Sequence, residues 1–447
     1  MNALIYSLPL LILFNGCNSA LGPDYEKPNT LEKLSSNQIF HSDANITMVA
    51  WWMDYNNKDL NDLIHTAFKE NRDLSIVSKQ LDLVLNAAEI AKTPFMPTGS
   101  LGDTINANNT QTIHKFGVSL TPFEFDYLGK MKKTMEQNSA YIEIAKENLA
   151  LLHSTISFEI ASIYSNILYY ETKIETIQMK LKLLEELEKI YQLRFDNGLD
   201  DVSGLFDIQS KIVNEHQTMN TAQTTQQEYM KTLKTIVGVE REINLNTKII
   251  PHAVPSQINS KQLEDRFDIQ IAEQNLIDKN AKISIVKTLY FPNISIGAFG
   301  GIGGTERDVF SSMSPAWAIT PSIIWNIFDM PKVEKLVKES EIQKEQALDG
   351  YIKTVQNAFI EVKSNYEIYE KNRTNLEFSQ SYVKVLKNKL DVLEQKFTIG
   401  LINKVQLLEA QYNYLEAKDL LQINSNNLFQ REITLKKSIG GRVKNSS

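Results

Sequence analysis

Apolar residues recur at every seventh position over two long stretches of the chain. The first runs Ile142, Leu149, Ile156, Ile163, Tyr170, Ile177, Leu184 and Tyr191, with a parallel stripe at Ile160, Ile167, Ile174 and Leu181. The second runs Leu348, Val355, Val362, Tyr369, Leu376, Val383, Leu390 and Phe397. A heptad held this long is the seam of a coiled coil. No proline falls between Lys132 and Ile250 or after Lys332. Each stretch therefore supports a helix of about 65 residues, on the order of 100 Å at 1.5 Å per residue. A compact globular domain has no room for such a helix.

Ahead of each heptad stretch the period changes to two. Phe116, Val118 and Leu120 alternate with Lys115, Gly117, Ser119 and Thr121; Trp317, Ile319, Pro321, Ile323 and Trp325 alternate with Ala318, Thr320, Ser322 and Ile324. Alternation of this kind marks strands with one apolar face. Partner strands are expected over Ser100 to Ala107 and Asn293 to Phe299, giving two hairpins and four strands. The glycine-rich stretch from Gly300 to Pro315 is expected to form the extracellular loop of the second hairpin. It lacks the Lys-Ser/Thr ending of a phosphate cradle. Phe123, Phe125, Tyr127, Trp325 and Phe328 cluster at the strand–helix junctions, as a membrane-interface girdle or as core.

The chain is also duplicated. Arg194-Phe195-Asp196-Asn197-Gly198-Leu199 returns 202 positions later as Lys396-Phe397-Thr398-Ile399-Gly400-Leu401, and Leu205 to Gln209 returns as Leu407 to Gln411. Asn71-Arg72-Asp73-Leu74 faces Arg266-Phe267-Asp268-Ile269. The expected organisation is a signal peptide over 1–16, an N-terminal segment over 17–50, a first repeat over 51–250, a second over 251–440, and a tail over 441–447. The repeats carry hairpins at 98–126 and 292–327 and helix breaks at 196–203 and 398–405, where Gly198 and Gly400 supply the permissive backbone of a sharp turn.

Composition narrows the chemistry. A net charge of −7 offers no basic stripe to a phosphate backbone, so nucleic acid is not an expected partner. The six histidines are scattered, no serine sits in a nucleophile elbow, and no acid pair shares an assignable site, so neither a metal nor an enzyme activity is expected. The one cysteine, Cys17, follows an apolar stretch from Ala3 to Phe14 that is too short to span a bilayer. With Gly16 before it, Cys17 reads as a lipidation site and a covalent lipid as the only attached group, although Phe14 replaces the usual leucine and no basic residue precedes the stretch. An ordinary cleaved signal with an incidental cysteine is the alternative.

Four strands with an apolar outer face cannot close a barrel alone, and an open sheet edge is not tolerated in lipid. Three copies would supply twelve strands. A noncatalytic periplasmic coiled-coil rod carrying a small β domain is the competing architecture.

Three motifs then resemble a known family: Gly22-Pro23-Asp24-Tyr25-Glu26-Lys27-Pro28; Trp51-Trp52 followed by Leu60-Asn61-x-Leu63-Ile64-x-x-Ala67 and Asn71; and the duplicated Phe-x-x-Gly-Leu. They resemble the TolC-like outer membrane factors of tripartite efflux systems, in the OprM and NodT type lipoprotein branch. The resemblance covers nearly the whole chain. It implies a mainly α, duplicated TolC-like fold in a homotrimer: a long coiled-coil helical barrel in the periplasm and four strands per chain completing a 12-stranded outer-membrane barrel. It further implies export without chemistry, from an inner-membrane pump through a periplasmic adaptor; type I protein secretion and metal efflux use ducts of the same fold. The tips around Arg194, Gly198 and Leu199 and around Lys396, Gly400 and Leu401 would meet the adaptor. Val405-Gln406-Leu407-Leu408-Glu409-Ala410-Gln411 matches the family's aperture pattern, with Glu409 where the family has aspartate. The implied gate is Glu409 with Gln406 and Leu408 beside it, and Asp207 as the repeat-equivalent of Glu409.

Overall fold

The computed structural model describes residues 21–29, 50–107, 112–243, 245, 260–304 and 314–440. Cys17 and most of the expected second-hairpin loop, 305–313, lie outside the described residues. The chain forms two compact units, and each draws on both halves of the sequence. One comprises Met1–Thr30, Ser78–Asn148 and Asp268–Thr354; the other comprises Leu31–Val77, Leu149–Phe267 and Val355–Ser447.

The elements repeat in order. Helices α1 (Lys58–Glu70) and α2 (Arg72–Ile90) lead to strands β1 (Gly99–Ala107) and β2 (Thr112–Glu124), then to α3 (Lys130–Asp196) and α4 (Val202–Val237). The second pass gives α5 (Phe267–Lys287), β3 (Asn293–Gly304), β4 (Ser314–Ile324), α6 (Met330–Thr398) and α7 (Lys404–Ile439). Helices α3 and α6 have 67 and 69 residues, close to the expected length. In α3 the heptad positions Ile156, Ile163, Ile177 and Leu184 are buried, as are Ile160, Ile167 and Leu181 of the parallel stripe. The α6 seam is buried at Val355, Val362, Tyr369 and Leu390, half-buried at Leu376 and Val383, and reaches 37% exposure at Phe397.

In the first unit the strands make one four-stranded antiparallel sheet in the order β1-β2-β3-β4. The two expected hairpins are therefore joined through β2 and β3, and β1 and β4 are its edges. The register puts Leu101, Val118, Gly300 and Trp317 in one cross-strand row, with Asp103, Phe116, Ile302 and Pro315 in the next row on the same face. Leu101, Trp317, Ile319 and Ile323 on that face are each at least 66% exposed. Asp103 and His114 interrupt it only toward the β1–β2 turn. The opposite face carries Ser100, Gly102, Asn106, Lys115, Gly117, Ser119, Gly301, Ala316, Ala318 and Thr320. Apolar outside and small or polar inside is the pattern of a membrane barrel, where a lysine facing mid-bilayer lipid would cost about 2–4 kcal/mol. Pro122 lies at a register break between Leu120 and Phe123, and Pro315 and Pro321 lie in an edge strand, positions that tolerate a missing N–H. Phe125, Trp325 and Phe328 at the strand ends are exposed, and Trp325 donates to the Tyr290 carbonyl at 3.2 Å.

The expected loop beginning at Gly300 is a correction: β3 continues through Gly304 and β4 begins at Ser314. Glycine misled the reading because here it serves close approach rather than turning. A Cβ on Gly117 would fall 2.6 Å from the Gly301 Cα, and one on Gly301 would fall 2.6 Å from the Gly117 Cα.

The same unit holds residues 21–29. Asn280 donates to the Pro23 carbonyl (2.9 Å), the buried Lys133 pairs with Asp24 (3.2 Å), Tyr25 donates to Glu273 (3.2 Å), and Lys27 pairs with Glu273 (3.0 Å). Gly22, at φ +126°, lies where any side chain would strike Ser284. Each landmark of the Gly-Pro-Asp-Tyr-x-Lys motif is thus a docking contact.

The second unit is built around Trp51 and Trp52, both 1% exposed. Trp51 stacks on Phe158 (4.2 Å between centroids) and donates to Ser157 (3.1 Å). Asn57 starts α1 by accepting the Leu60 N–H (2.9 Å), and its amide donates to the Tyr164 hydroxyl. Asn71 accepts the Leu74 N–H (3.0 Å) at the start of α2 and donates to the Ile236 carbonyl (2.7 Å) of α4. Gly238 ends α4 at φ +78°, packed so tightly on Glu70 that a Cβ would lie 2.8 Å from the Glu70 oxygen.

Gly301→Val should force β2 and β3 apart, costing about 1–3 kcal/mol as overpacking does. Thermal unfolding of the membrane form checks this, and a value equal to that of wild type would show that the strands yield freely.

Candidate functional site: the helix tips

Both long helices end the same way. The Leu199 N–H reaches back to the Arg194 carbonyl (2.8 Å) and the Gly198 N–H to Phe195 (2.9 Å); Leu401 reaches Lys396 (2.8 Å) and Gly400 reaches Phe397 (3.0 Å). This paired closure requires a left-handed residue, and Gly198 and Gly400 have φ +67° and +75°. Beyond the glycine the two tips diverge. In the first, Asp201 accepts the Ser203 N–H (2.7 Å), while Arg194 pairs with Asp200 (3.0 Å). In the second, Asn403 accepts the Gln406 N–H (2.9 Å) and the Gln406 side chain accepts the Asn403 N–H (3.3 Å), a reciprocal capping box. Leu199 and Leu401 stand about 70% exposed at the apices, apolar side chains with nothing covering them.

The sequence-derived aperture residues separate under the geometry. Glu409 and Asp207 are exposed, as the gate reading requires. Both act on Tyr191: burial raises its hydroxyl pKa most, the charges of Glu409 and Asp200 raise it further, and Asp207 adds while Arg194 opposes. Tyr191 lies against Gly204, where a Cβ would sit 2.8 Å from the ring. The fold thus brings both acids to one tyrosine that the heptad had marked only as a seam residue. Gln406 is exposed but occupied in the capping box. Leu408 is corrected: it is 1% exposed and packs with Leu184, Leu187, Ile208 and Val405, so it fixes the turn carrying Glu409 and faces no passage.

A second feature of this unit was not visible in the sequence. Lys180 and Glu215, 8% and 6% exposed at the side chain, pair at 2.5 Å, and Tyr412 donates to the same Glu215 oxygen at 2.8 Å. The Lys180 ammonium also lies 5.0 Å from the Tyr412 ring centroid. The cluster ties α3, α4 and α7. Nearby, burial raises the Asp419 carboxyl pKa while Lys173 and Lys180 pull it down. Charged residues on a heptad helix read as a solvated face, and only the packing of three helices reveals these as interior. Tyr55, Glu432 and Lys436 make a similar buried set, with Tyr55 donating to Glu432 at 2.6 Å and Lys436 pairing with it at 2.9 Å.

Two capped helical hairpins of matched length and a four-stranded sheet with an exposed apolar face define an outer-membrane channel component. The chain belongs to the outer membrane efflux protein family, whose model matches residues 63–239 and 259–441, one match on each repeat. It is 25% identical over 460 residues to the probable efflux pump outer membrane protein TtgC of Pseudomonas putida, covering 96% of this chain and 93% of that protein. It is 22% identical to the probable outer membrane lipoprotein SilC of Salmonella typhimurium (95% and 97% covered) and 21% identical to the cation efflux system protein CusC of Escherichia coli (97% and 98% covered). Among solved structures, the outer-membrane channel OprN matches with a TM-score of 0.79 at 19% identity, covering 94% of this chain and 99% of that one. The open state of the Neisseria gonorrhoeae MtrE channel matches at 0.81 and 19% identity, covering 96% and 100%. The protein is an outer-membrane efflux channel with the TolC-like fold.

Removing one member of the buried pair should cost far more than removing both. Glu215→Ala leaves the buried ammonium only the more distant, half-exposed Glu416 at 3.9 Å, at a cost of about 3 kcal/mol, whereas the apolar exchange Lys180→Met with Glu215→Leu should be near neutral. Heat or urea unfolding of the two variants separates these outcomes, and equal losses would show the pair to be solvated.

Proposed function

We propose that the channel works as a homotrimer, conducting solutes passively from a periplasmic adaptor and inner-membrane pump to the exterior, with acylated Cys17 anchoring it to the outer membrane. The observation that carries this reading is the sheet. It has two open edges, β1 and β4, and an exposed apolar face. Backbone groups on a sheet edge have no partners in hydrocarbon. Three copies of four strands pair every edge and give twelve strands, an even number in the range that leaves a lumen. The duct itself carries out no chemistry, and the pump supplies both energy and cargo choice. Relatives are named for toluene, antibiotic and cation efflux alike, in keeping with a conduit whose cargo is set elsewhere.

At the tips, Leu199 and Leu401 with the flanking Arg194 and Lys396 form the docking surface for the adaptor. Glu409, with Asp207 in support, lines the aperture. Three carboxylates around a threefold axis repel one another and favour passing cations.

Palmitate labelling of wild type but not of Cys17→Ala, together with a heat-sensitive trimer in outer-membrane fractions, is the expected result. An unlabelled trimer would remove the lipid, and a soluble monomer would end the channel assignment. Leu199→Asp with Leu401→Asp should abolish efflux-dependent resistance at unchanged trimer level, while Glu409→Gln should lower the cation preference of the purified channel. Full resistance in the first case, or unaltered preference in the second, would take those residues out of their roles.

A further inference from the structure

Among the described residues, the small-residue face of the sheet carries one charge without a carboxylate beside it. Among the described strand residues on that face, the charged side chains are Lys115 and Glu124. Glu124 is matched by Lys130, whose Nζ lies 2.9 and 3.0 Å from its two oxygens. Lys115 has no carboxylate at ion-pair distance among the described residues; its contact is the ring of Phe299, 5.9 Å from ammonium to centroid.

The register explains how the side chain reaches that ring. Lys115 pairs with Gly303 and Ser119 with Phe299, and the row between them on the same face is Gly117 with Gly301. Those two positions carry no side chains. The two glycines that bring β2 and β3 together therefore also leave a bare trough, and a lysine at its end can lie along it toward Phe299. Gly303 adds to the clearance: a Cβ there would come within 3.6 Å of the Lys115 Cγ.

We infer that Lys115 is a charge-selecting residue of the barrel interior, favouring anionic solutes there. The inference rests on the trimeric barrel proposed above, in which threefold symmetry sets three such ammonium groups around one water-filled passage. Fixed charges lining a narrow aqueous pore act on every permeating ion within a Debye length, about 10 Å at 0.1 M salt. The sign is opposite to that of Glu409 and Asp207 in the helical unit, so the conduit holds both an acidic and a basic element.

Two measurements on the full-length protein test it. The first compares Lys115→Cys with Trp317→Cys for modification by a membrane-impermeant thiol reagent in outer membranes, with wild type, whose only cysteine is Cys17, setting the background. Labelling at 115 and protection at 317 are expected; protection at 115 would overturn the inference. The second reads the cation-to-anion permeability ratio of purified trimers in planar bilayers under a salt gradient. Along the series wild type, Lys115→Gln, Lys115→Glu the ratio should rise at each step, by roughly two-fold or more overall, the order expected for a charge ring within screening distance of the ions. A ratio flat across the series, in channels that conduct, would refute the role of Lys115 and leave the barrel standing. Failure to form trimers or pores in wild type would instead bring down the barrel, and this inference with it.

Discussion

A backbone amide in hydrocarbon must have a partner, and this chain cannot satisfy that demand alone. Among the described residues its sheet has four strands, with β1 and β4 at its two edges. Much else about the molecule stems from that shortfall. The apolar face is built for lipid rather than for a core, so Trp317 and Leu101 stand exposed where a soluble protein would cover them. The opposite face is mostly small or polar, with Gly117, Gly301, Ala316, Ala318 and Ser119 beside Lys115, Asn106 and Phe299. Duplication supplies the second hairpin, and the register between β2 and β3 welds the two copies into one surface.

The helical part obeys a different logic. Long seams of isoleucine and leucine give adhesion without much specificity, since one heptad step along a uniform seam resembles the next. The buried set Lys180–Glu215–Tyr412 breaks that uniformity, because its members lie on α3, α4 and α7 and a helix shifted by one turn would part Lys180 from Glu215. Interior ion pairs of this kind add little net stability but penalise misalignment heavily. Over a helix of 67 residues, register is the quantity most in need of such control.

The parts of this architecture legible in the sequence were those with a strict period or a local rule. The heptads located α3 and α6, the alternation located β2 and β4, and Gly198 and Gly400 located the tips, because left-handed closure of a helix is a local requirement. Long-range contacts were not legible. Gly301 looked like loop because its reason for being glycine, the backbone of Gly117, is far away in the chain. Leu408 looked like part of an aperture because its neighbours Leu184 and Ile208 belong to other helices. Lys180 and Glu215 gave no signal in the sequence for the same reason. The two family motifs near the N-terminus were recognisable as patterns, yet their meaning is contact: Asn71 holds the end of α4, and Asp24 and Tyr25 dock on helices formed much later in the chain.

That last arrangement sets an order of events. Asp24 waits for Lys133, 109 residues downstream, and Tyr25 for Glu273, 248 residues downstream. Contacts of such separation close late, after the loop entropy between them has been overcome. The segment carrying Asp24 and Tyr25 therefore seats only after the helices that receive it have formed. Asp24 and Tyr25 can seat only once α3 and α5 have folded, so their docking marks completion of the packing around them.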